Sequence, residues 1–345
     1  MIHFPNFKSN CNSLLKKYLT EEVFHTLIHK KTKLGYSLPK AIKSGLVNSD
    51  SSIGVYAGDK ESYEVFKELF TPIIKDYHNF TEENKHQSNL ILDDVNIDNP
   101  DPEGKYILST RIRVGRNLKD TPLGSLISDK ERNEVEQLIK TALLTLKDNL
   151  AGNYYPLNNM QEAIREEMIN NHFLFKQGDR FLEEAGLNRN WPHGRGIYHN
   201  NKKDFLVWVN EEDQMRIISM QKGGDIKDVF TRLTVALNQL ERQLSFSYSN
   251  HLGYISSCPT NLGTAMRASV HISLPQLSNN KNKLEEITKK HHLQIRGIHG
   301  EHSESENAIF DISNQRRLGI TEVEAIQDLY DGVVQLIRAE KQLEF

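Results

Sequence analysis

Over roughly the first ninety residues the apolar positions recur three and four apart, and beyond residue 105 stretches that alternate with period two appear. Residues 12–31 and 60–77 predict helices, the second with Tyr63, Phe66, Leu69, Phe70 and Ile73 along one side. Between them, "SGLVNSDSSIGVYAGD" at 44–59 predicts a loop from its Gly, Ser, Asn and Asp content. The polar stretch 79–104 holds two prolines and predicts a connection. A small all-α domain is therefore expected at 1–90 and a larger domain at 91–345.

The larger part reads as strands and helices interleaved. "KYILSTRIRVGR" alternates with period two, setting Tyr106, Leu108, Thr110, Ile112 and Val114 against Ile107, Ser109, Arg111 and Arg113. "DFLVWVNEEDQMRIISMQ" predicts a hairpin about its Asn-Glu-Glu-Asp turn. "RASVHISLP" sets Arg267, Ser269, His271 and Ser273 opposite Ala268, Val270, Ile272 and Leu274. Strands polar on one side suit an antiparallel sheet with one face open to a cleft. "SDKE" at 128–131 and "TEVE" at 321–324 are capping boxes that start helices. Apolar stripes through 226–244 and from Val323 to Leu336 predict helices whose stripes belong to the core. The expected fold class is α+β, an antiparallel sheet flanked by helices beside a small helical domain.

Composition narrows the partners. The 345 residues hold 43 Lys plus Arg against 46 Asp plus Glu, a net charge of −3, so no overall basic field points to nucleic acid or an anionic membrane. Two cysteines, Cys11 and Cys258, cannot build a disulfide framework, and a reduced, cytoplasmic protein is expected. The opening "MIHFPNFKSNCNSLLKKYL" has no uninterrupted apolar run of the signal-peptide kind.

Chemistry enters with five arginines, Arg111, Arg113, Arg216, Arg267 and Arg296, all within or beside predicted strands. A buried guanidinium needs an anion, and a planar fork that stays charged at working pH suits a polyphosphate. Cross-strand pairing with carboxylates would account for any one of them separately. The chain has no Gly-rich phosphate loop of the P-loop or dinucleotide kind, so side chains must do much of the binding. Cys258 precedes Pro259 and so sits in extended backbone. Near arginines its thiol pKa would fall, whereas buried alone it would be inert. His271 and His199 are candidate bases for it by composition only. Glu212, at the hairpin, and Glu301, in "RGIHGEHSESE", read alone as solvated carboxylates.

Taken in order, "STRIR" (109–113), "NHFLFKQGDRFL" (171–182), "WPHGRGIYHN" (191–200), "FLVWVNEED" (205–213), "CPTNLGT" (258–264), "RGIHGEH" (296–302) and "DISNQRRLGITE" (311–322) resemble the phosphagen kinases, nearest to the members that act on arginine. The resemblance runs from about residue 12 to 340. It implies a guanidino-kinase, glutamine-synthetase-like catalytic domain and reversible transfer of the γ-phosphoryl of MgATP to L-arginine. Magnesium would be carried on the nucleotide and not by a protein metal site. It also implies a monomer or homodimer with no nucleic-acid or membrane partner.

Carried over residue by residue, Ser109, Arg111, Arg113, His172, Arg216, Arg267 and Arg296 match the nucleotide site. Glu212 and Glu301 match the carboxylates that grip the guanidinium, and Cys258 the thiolate set against it. Ser51, Ser52, Ile53, Gly54 and Tyr56 match the loop that receives the amino-acid end. Asp50 and Arg180 match an ion pair between domains, and the stretch 296–308 a lid. Ser52, Gly58 and His299 depart from the family's usual glycine, proline and arginine. A different guanidino substrate such as taurocyamine, or a non-catalytic nucleotide-binding paralogue, is the alternative.

Overall fold

The computed structural model describes residues 3–175, 177, 179–297 and 308–344. The N-terminal part is helical: α1 (Leu14–Tyr18), α2 (Glu21–Leu27), α3 (Leu38–Val47), α4 (Ser62–Val65) and α5 (Lys67–His78). Each of the two helices expected from spacing is divided. Thr20 caps α2 by accepting from the Val23 amide, and α4 breaks at Phe66 before α5 begins. The expected loop is also shorter than its composition suggested. Helix α3 continues to Val47 because Ala41 and Ile42 anchor it in the helical core, and its Gly45 is pressed against Gly54.

Among the described residues, eight strands form one antiparallel sheet: β1 (Ile107–Arg116), β2 (Gly152–Pro156), β3 (Gly196–Asn200), β4 (Phe205–Val209), β5 (Met215–Lys222), β8 (Met266–Ser273), β9 (Leu293–Gly297) and β10 (Ile309–Asn314). Their order is β2-β3-β4-β5-β1-β8-β10-β9. The short strands β6 (Tyr248–Ser249) and β7 (Gly253–Tyr254) pair separately. Three long helices, α6 (Asp129–Leu143), α9 (Ile226–Leu240) and α12 (Glu322–Leu343), cover one face of the sheet together with α10 (Pro275–Ser278) and α11 (Lys281–Lys290). The short helices α7 (Glu162–Asn170) and α8 (Arg180–Glu184) lie in the long β2–β3 connection. Both expected capping boxes are formed, at Ser128–Glu131 and Thr321–Glu324.

The alternation expected along β1 holds from Ser109 onward but fails at its start. A register shift between Ile107 and Ser109 buries Ile107 and exposes Leu108, the reverse of the simple pattern. Asp101 accepts from the amides of both Tyr106 and Ile107 at 2.7 Å, fixing this end of the strand from outside the ladder.

The helical part does not stand apart. Its core includes Leu123, Ile255, Leu262 and Leu318 from beyond the connection, and the Tyr63 hydroxyl donates to Ser256 O at 2.7 Å. Ser44 Oγ donates to Phe181 O at 2.8 Å, tying α3 to α8.

Candidate active site

Strand register brings the arginines to one surface. Arg113 stands opposite Arg267, Gly115 opposite Arg216, Ser109 opposite His271, and Asp311 opposite both His271 and Arg296. Cross-strand partners share a face. All five expected arginines therefore project from the side of the sheet away from the helices, with Ser109 and His271 among them. Burial above all lowers the His271 pKa, with Arg267 and Arg111 adding to it, and His172, just beyond α7, lies close enough to contribute in the same direction. Gly115 is required by the crowding, since a Cβ there would lie 2.7 Å from Asp213 Oδ2. Trp208 stands opposite Arg216, and its ring lies 5.7 Å from that guanidinium and 5.5 Å from that of Arg111.

The cluster is short of negative charge. Burial, then Arg216 and Arg267, pushes Arg111 down to about 10, and the same causes lower Arg113. Arg111 Nε and Nη2 and Arg267 Nε are buried with no hydrogen-bond partner among the described residues. Arg267 does bond Asp311 at 2.8 Å, and Arg296 donates to Gln294 Oε1 at 3.1 Å. Arg216 is better compensated, bonding Glu211 at 3.0 Å and Glu212 at 2.8 Å, and its pKa is raised because these carboxylates outweigh desolvation. Buried guanidinium nitrogens without acceptors fit a ligand rich in anionic oxygen, as a triphosphate is. The described residues contain no group of three or more His, Cys, Asp or Glu able to hold a metal ion.

Beside the arginines lies an acidic slot built on the β4–β5 turn. Asn210 takes φ +57° there, and its side chain donates to Gly194 O at 2.7 Å. Asp213 is buried and accepts from Asn117 Nδ2 (2.8 Å), Ser256 Oγ (2.8 Å) and the Ser257 amide (3.0 Å), locking the turn to the segment that carries Cys258. Glu212 is thereby held in place, with Oε2 on Arg216 and Oε1 accepting from Asn261 Nδ2 at 3.3 Å. Burial pushes the Glu212 carboxyl up to about 7, against the pull of Arg216.

Cys258 corrects one expectation. Its thiol was expected to be lowered by arginines, but the charge it faces is Glu212. Burial first, and then that carboxylate, push it up to about 12. Its Sγ lies 3.2 Å from Thr260 Oγ1, and Tyr56 and Leu182 pack around it. His199, one candidate base, stacks instead on Tyr155 on strands β2 and β3. His271 stands 4.0 Å from Asp311 within the arginine face.

The N-terminal loop reaches the same place. The first two amides of α1, at Leu14 and Leu15, donate to Ser52 O and Ile53 O at 2.9 Å, so the loop satisfies a helix start. Ile53 packs its side chain into the helical core, Ser51 is half-buried and Ser52 is exposed. Gly54 has φ +82° and would press a Cβ to within 2.9 Å of Leu15. The Ala57 amide donates to Ser257 O at 2.7 Å, placing Tyr56 next to Cys258. Asp50 and Arg180 form the expected ion pair, with Nη1–Oδ1 at 2.8 Å and a second contact between Nη2 and Oδ2. Glu301 and His299 lie outside the described residues, as does most of the expected lid.

Sequence reasoning missed Arg317. Buried, it donates from Nη1 to Thr260 O (3.0 Å) and Asn261 Oδ1 (2.6 Å), holding the turn that bears Cys258. The doubled arginine in "NQRRLG" was its only trace in the sequence. Asp213, Asn117 and Asn261 were missed as well, because nothing local marks a polar side chain that will be buried.

A family model for the ATP:guanido phosphotransferase C-terminal catalytic domain matches residues 134–343, and one for the N-terminal domain matches residues 9–75. The chain belongs to the phosphagen kinases. Among similar proteins, the arginine kinases of Penaeus monodon and Metapenaeus ensis are each 50% identical over 336 residues, covering 97% of this chain and 94% of theirs. A crystal structure of a lombricine kinase superposes with TM-score 0.92 at 41% identity, over 99% of this phosphagen kinase and 95% of that chain. The substrate-free duplicated taurocyamine kinase from Schistosoma mansoni also gives 0.92, at 40% identity over 98% of this chain. This phosphagen kinase spans 48% of that duplicated chain. It is a phosphotransferase with the architecture of its family, a small helical domain beside an eight-stranded antiparallel sheet flanked by helices.

Proposed function

We propose that this phosphagen kinase is an arginine kinase, reversibly moving the γ-phosphoryl group of MgATP to the guanidino nitrogen of L-arginine. The observation that carries the reading is the face of under-compensated arginines lying against the slot of Glu212 and Cys258. The higher identity to arginine kinases than to the lombricine and taurocyamine kinases supports arginine as substrate.

In this reading Arg111, Arg113, Arg216, Arg267 and Arg296 neutralise the phosphates, with Ser109 and His172 at the rest of the nucleotide. In-line phosphoryl transfer gains mainly from such positioning and charge cancellation. Magnesium, bound through the nucleotide, would add charge neutralisation across its phosphates. Glu212, whose carboxyl burial pushes up to about 7, orients the guanidinium and accepts its proton as transfer proceeds. Glu301 serves as the second carboxylate. An incoming guanidinium offsets the Glu212 charge that raises the Cys258 thiol, and so favours the thiolate against which it would be held. Ser51, Ser52, Ile53, Gly54 and Tyr56 take the amino-acid end, and Asp50 with Arg180 keeps the two parts aligned.

The same reading includes a cytoplasmic enzyme, monomeric or homodimeric, with its domain boundary near residue 90. The test is ADP formation by purified protein with arginine, taurocyamine, lombricine, glycocyamine and creatine. Arginine should give the highest kcat/KM; a preference for another guanidine overturns the substrate, and nucleotide binding without turnover overturns the reaction.

A further inference from the structure

Behind the loop that carries Tyr56 stands Tyr36, fully buried at 0% exposure. Its hydroxyl donates to Tyr56 O at 3.0 Å. Its ring occupies the space next to Gly58, where a Cβ would lie 2.3 Å from Tyr36 Cδ2 and 2.4 Å from Cγ, closer than packed atoms approach. Gly58 does not have the positive φ that favours glycine, so its backbone would accept a side chain. Tyr36 is what excludes one.

The segment 56–58 is held at every backbone polar group. The amides of Tyr56, Ala57 and Gly58 donate to Ala41 O (2.9 Å), Ser257 O (2.7 Å) and Ser62 Oγ (3.2 Å). The carbonyls accept from the Tyr36 hydroxyl, Ser125 Oγ (2.7 Å) and the Leu123 amide (2.8 Å). A proline at 58 would lose its bond to Ser62 and meet the Tyr36 ring. Through this segment Tyr36 sets where Tyr56 stands, and Tyr56 packs against Cys258 in the acidic slot.

We propose that Tyr36 and Gly58 are a matched pair that positions Tyr56 and so gauges the guanidino-substrate slot, fixing which tail length beyond the guanidinium is accepted. The inference rests on the phosphagen-kinase reading above. Tyr36 is a positioning residue, buried behind Tyr56 and acting through it.

Initial rates of wild type, Tyr36→Phe, Gly58→Ala and Tyr36→Leu/Gly58→Ala are measured with arginine, taurocyamine, lombricine and glycocyamine, varying each guanidine and MgATP separately. Tyr36→Phe removes one oxygen and should raise KM for the preferred guanidine about fivefold, as expected for one lost hydrogen bond. KM for MgATP should stay unchanged, while the ranking of guanidines by kcat/KM narrows. Gly58→Ala should act more strongly, and Tyr36→Leu in that background should recover part of the loss. Equal effects on both substrates, no effect on either, or strictly additive changes at 36 and 58 would overturn the pairing. Should Gly58→Ala not fold, the Tyr36→Phe result decides by itself. A wild-type protein inactive on every guanidine overturns this inference together with the function; an active wild type matched by Tyr36→Phe overturns the inference alone.

Discussion

Arg113 on β1 and Arg267 on β8 stand directly opposite each other across the ladder, two guanidinium groups on neighbouring strands of the same face. Like charges so placed oppose folding unless something between them is negative. Asp311 serves Arg267 at 2.8 Å, while Arg113 is half-buried and feels Arg216, Arg267 and Arg111. The fold therefore carries a repulsion that a polyanion relieves.

Replacing Arg113 separates binding from stability. In Arg113→Met the thermal midpoint of the ligand-free protein should hold or rise, since a desolvated charge is removed. Affinity for MgADP, by calorimetry, should fall about tenfold to a hundredfold, the loss expected for a charged hydrogen-bonding group. A lowered midpoint with unchanged affinity would make Arg113 a structural residue.

Glu212 predicts a pH dependence with a definite sign. Its folded-state pKa of about 7 lies above the ordinary value of 4.5. The stability it contributes is full below 4.5 and is lost as pH rises through 7, because the folded state keeps a proton that the unfolded state releases. Activity runs the other way, since the carboxylate must be free to accept a proton. The kcat/KM for the guanidine should fall below pH 7, and the kcat profile should shift to lower pH because bound guanidinium stabilises the carboxylate. Glu212→Gln should lower kcat by about a hundredfold or more and remove that limb. A wild-type profile flat from pH 5 to 8 would contradict the assignment.

Arg317 should matter although it lay outside the expected set. Arg317→Ala frees Thr260 O and Asn261 Oδ1, and Asn261 in turn holds Glu212. Stability should drop by about 1–3 kcal/mol, measured by urea unfolding, as for losing a buried charged donor. The kcat should fall with it, because the turn bearing Cys258 loosens. Wild-type kcat in a destabilised variant would separate folding from positioning.

The pair Asp50–Arg180 is exposed on both sides, with side-chain exposures of 54% and 55%. Salt screens such a pair. Arg180→Ala should raise KM for the guanidine at low ionic strength, and that difference from wild type should shrink in high salt. The exchanged variant Asp50→Arg/Arg180→Asp should restore much of it, whereas failure to restore would mean that Asn48, which also accepts from Arg180 at 3.2 Å, carries the alignment.

Elements set by neighbours in the chain are legible in the sequence. The capping boxes at Ser128–Glu131 and Thr321–Glu324 close within a single turn, and the alternation through Arg267 and His271 is a property of one strand. The residue types of the candidate site are legible too, since guanidinium groups on strand faces call for an anion. The bulge at Ile107, the division of the helices at Thr20 and Phe66, and the glutamate facing Cys258 are not.

By itself, the order of residues determined where the helix starts at Ser128 and Thr321 fall, which face of the strand through Arg267 and His271 is polar and which side chains can meet phosphate. Those properties arise from contacts a few positions apart. Only the tertiary structure decided that Arg113 meets Arg267, that Arg317 holds the Thr260–Asn261 turn, and that Tyr36 occupies the room beside Gly58. Register, burial and excluded volume join residues distant in the chain, and no local pattern records which of them will touch.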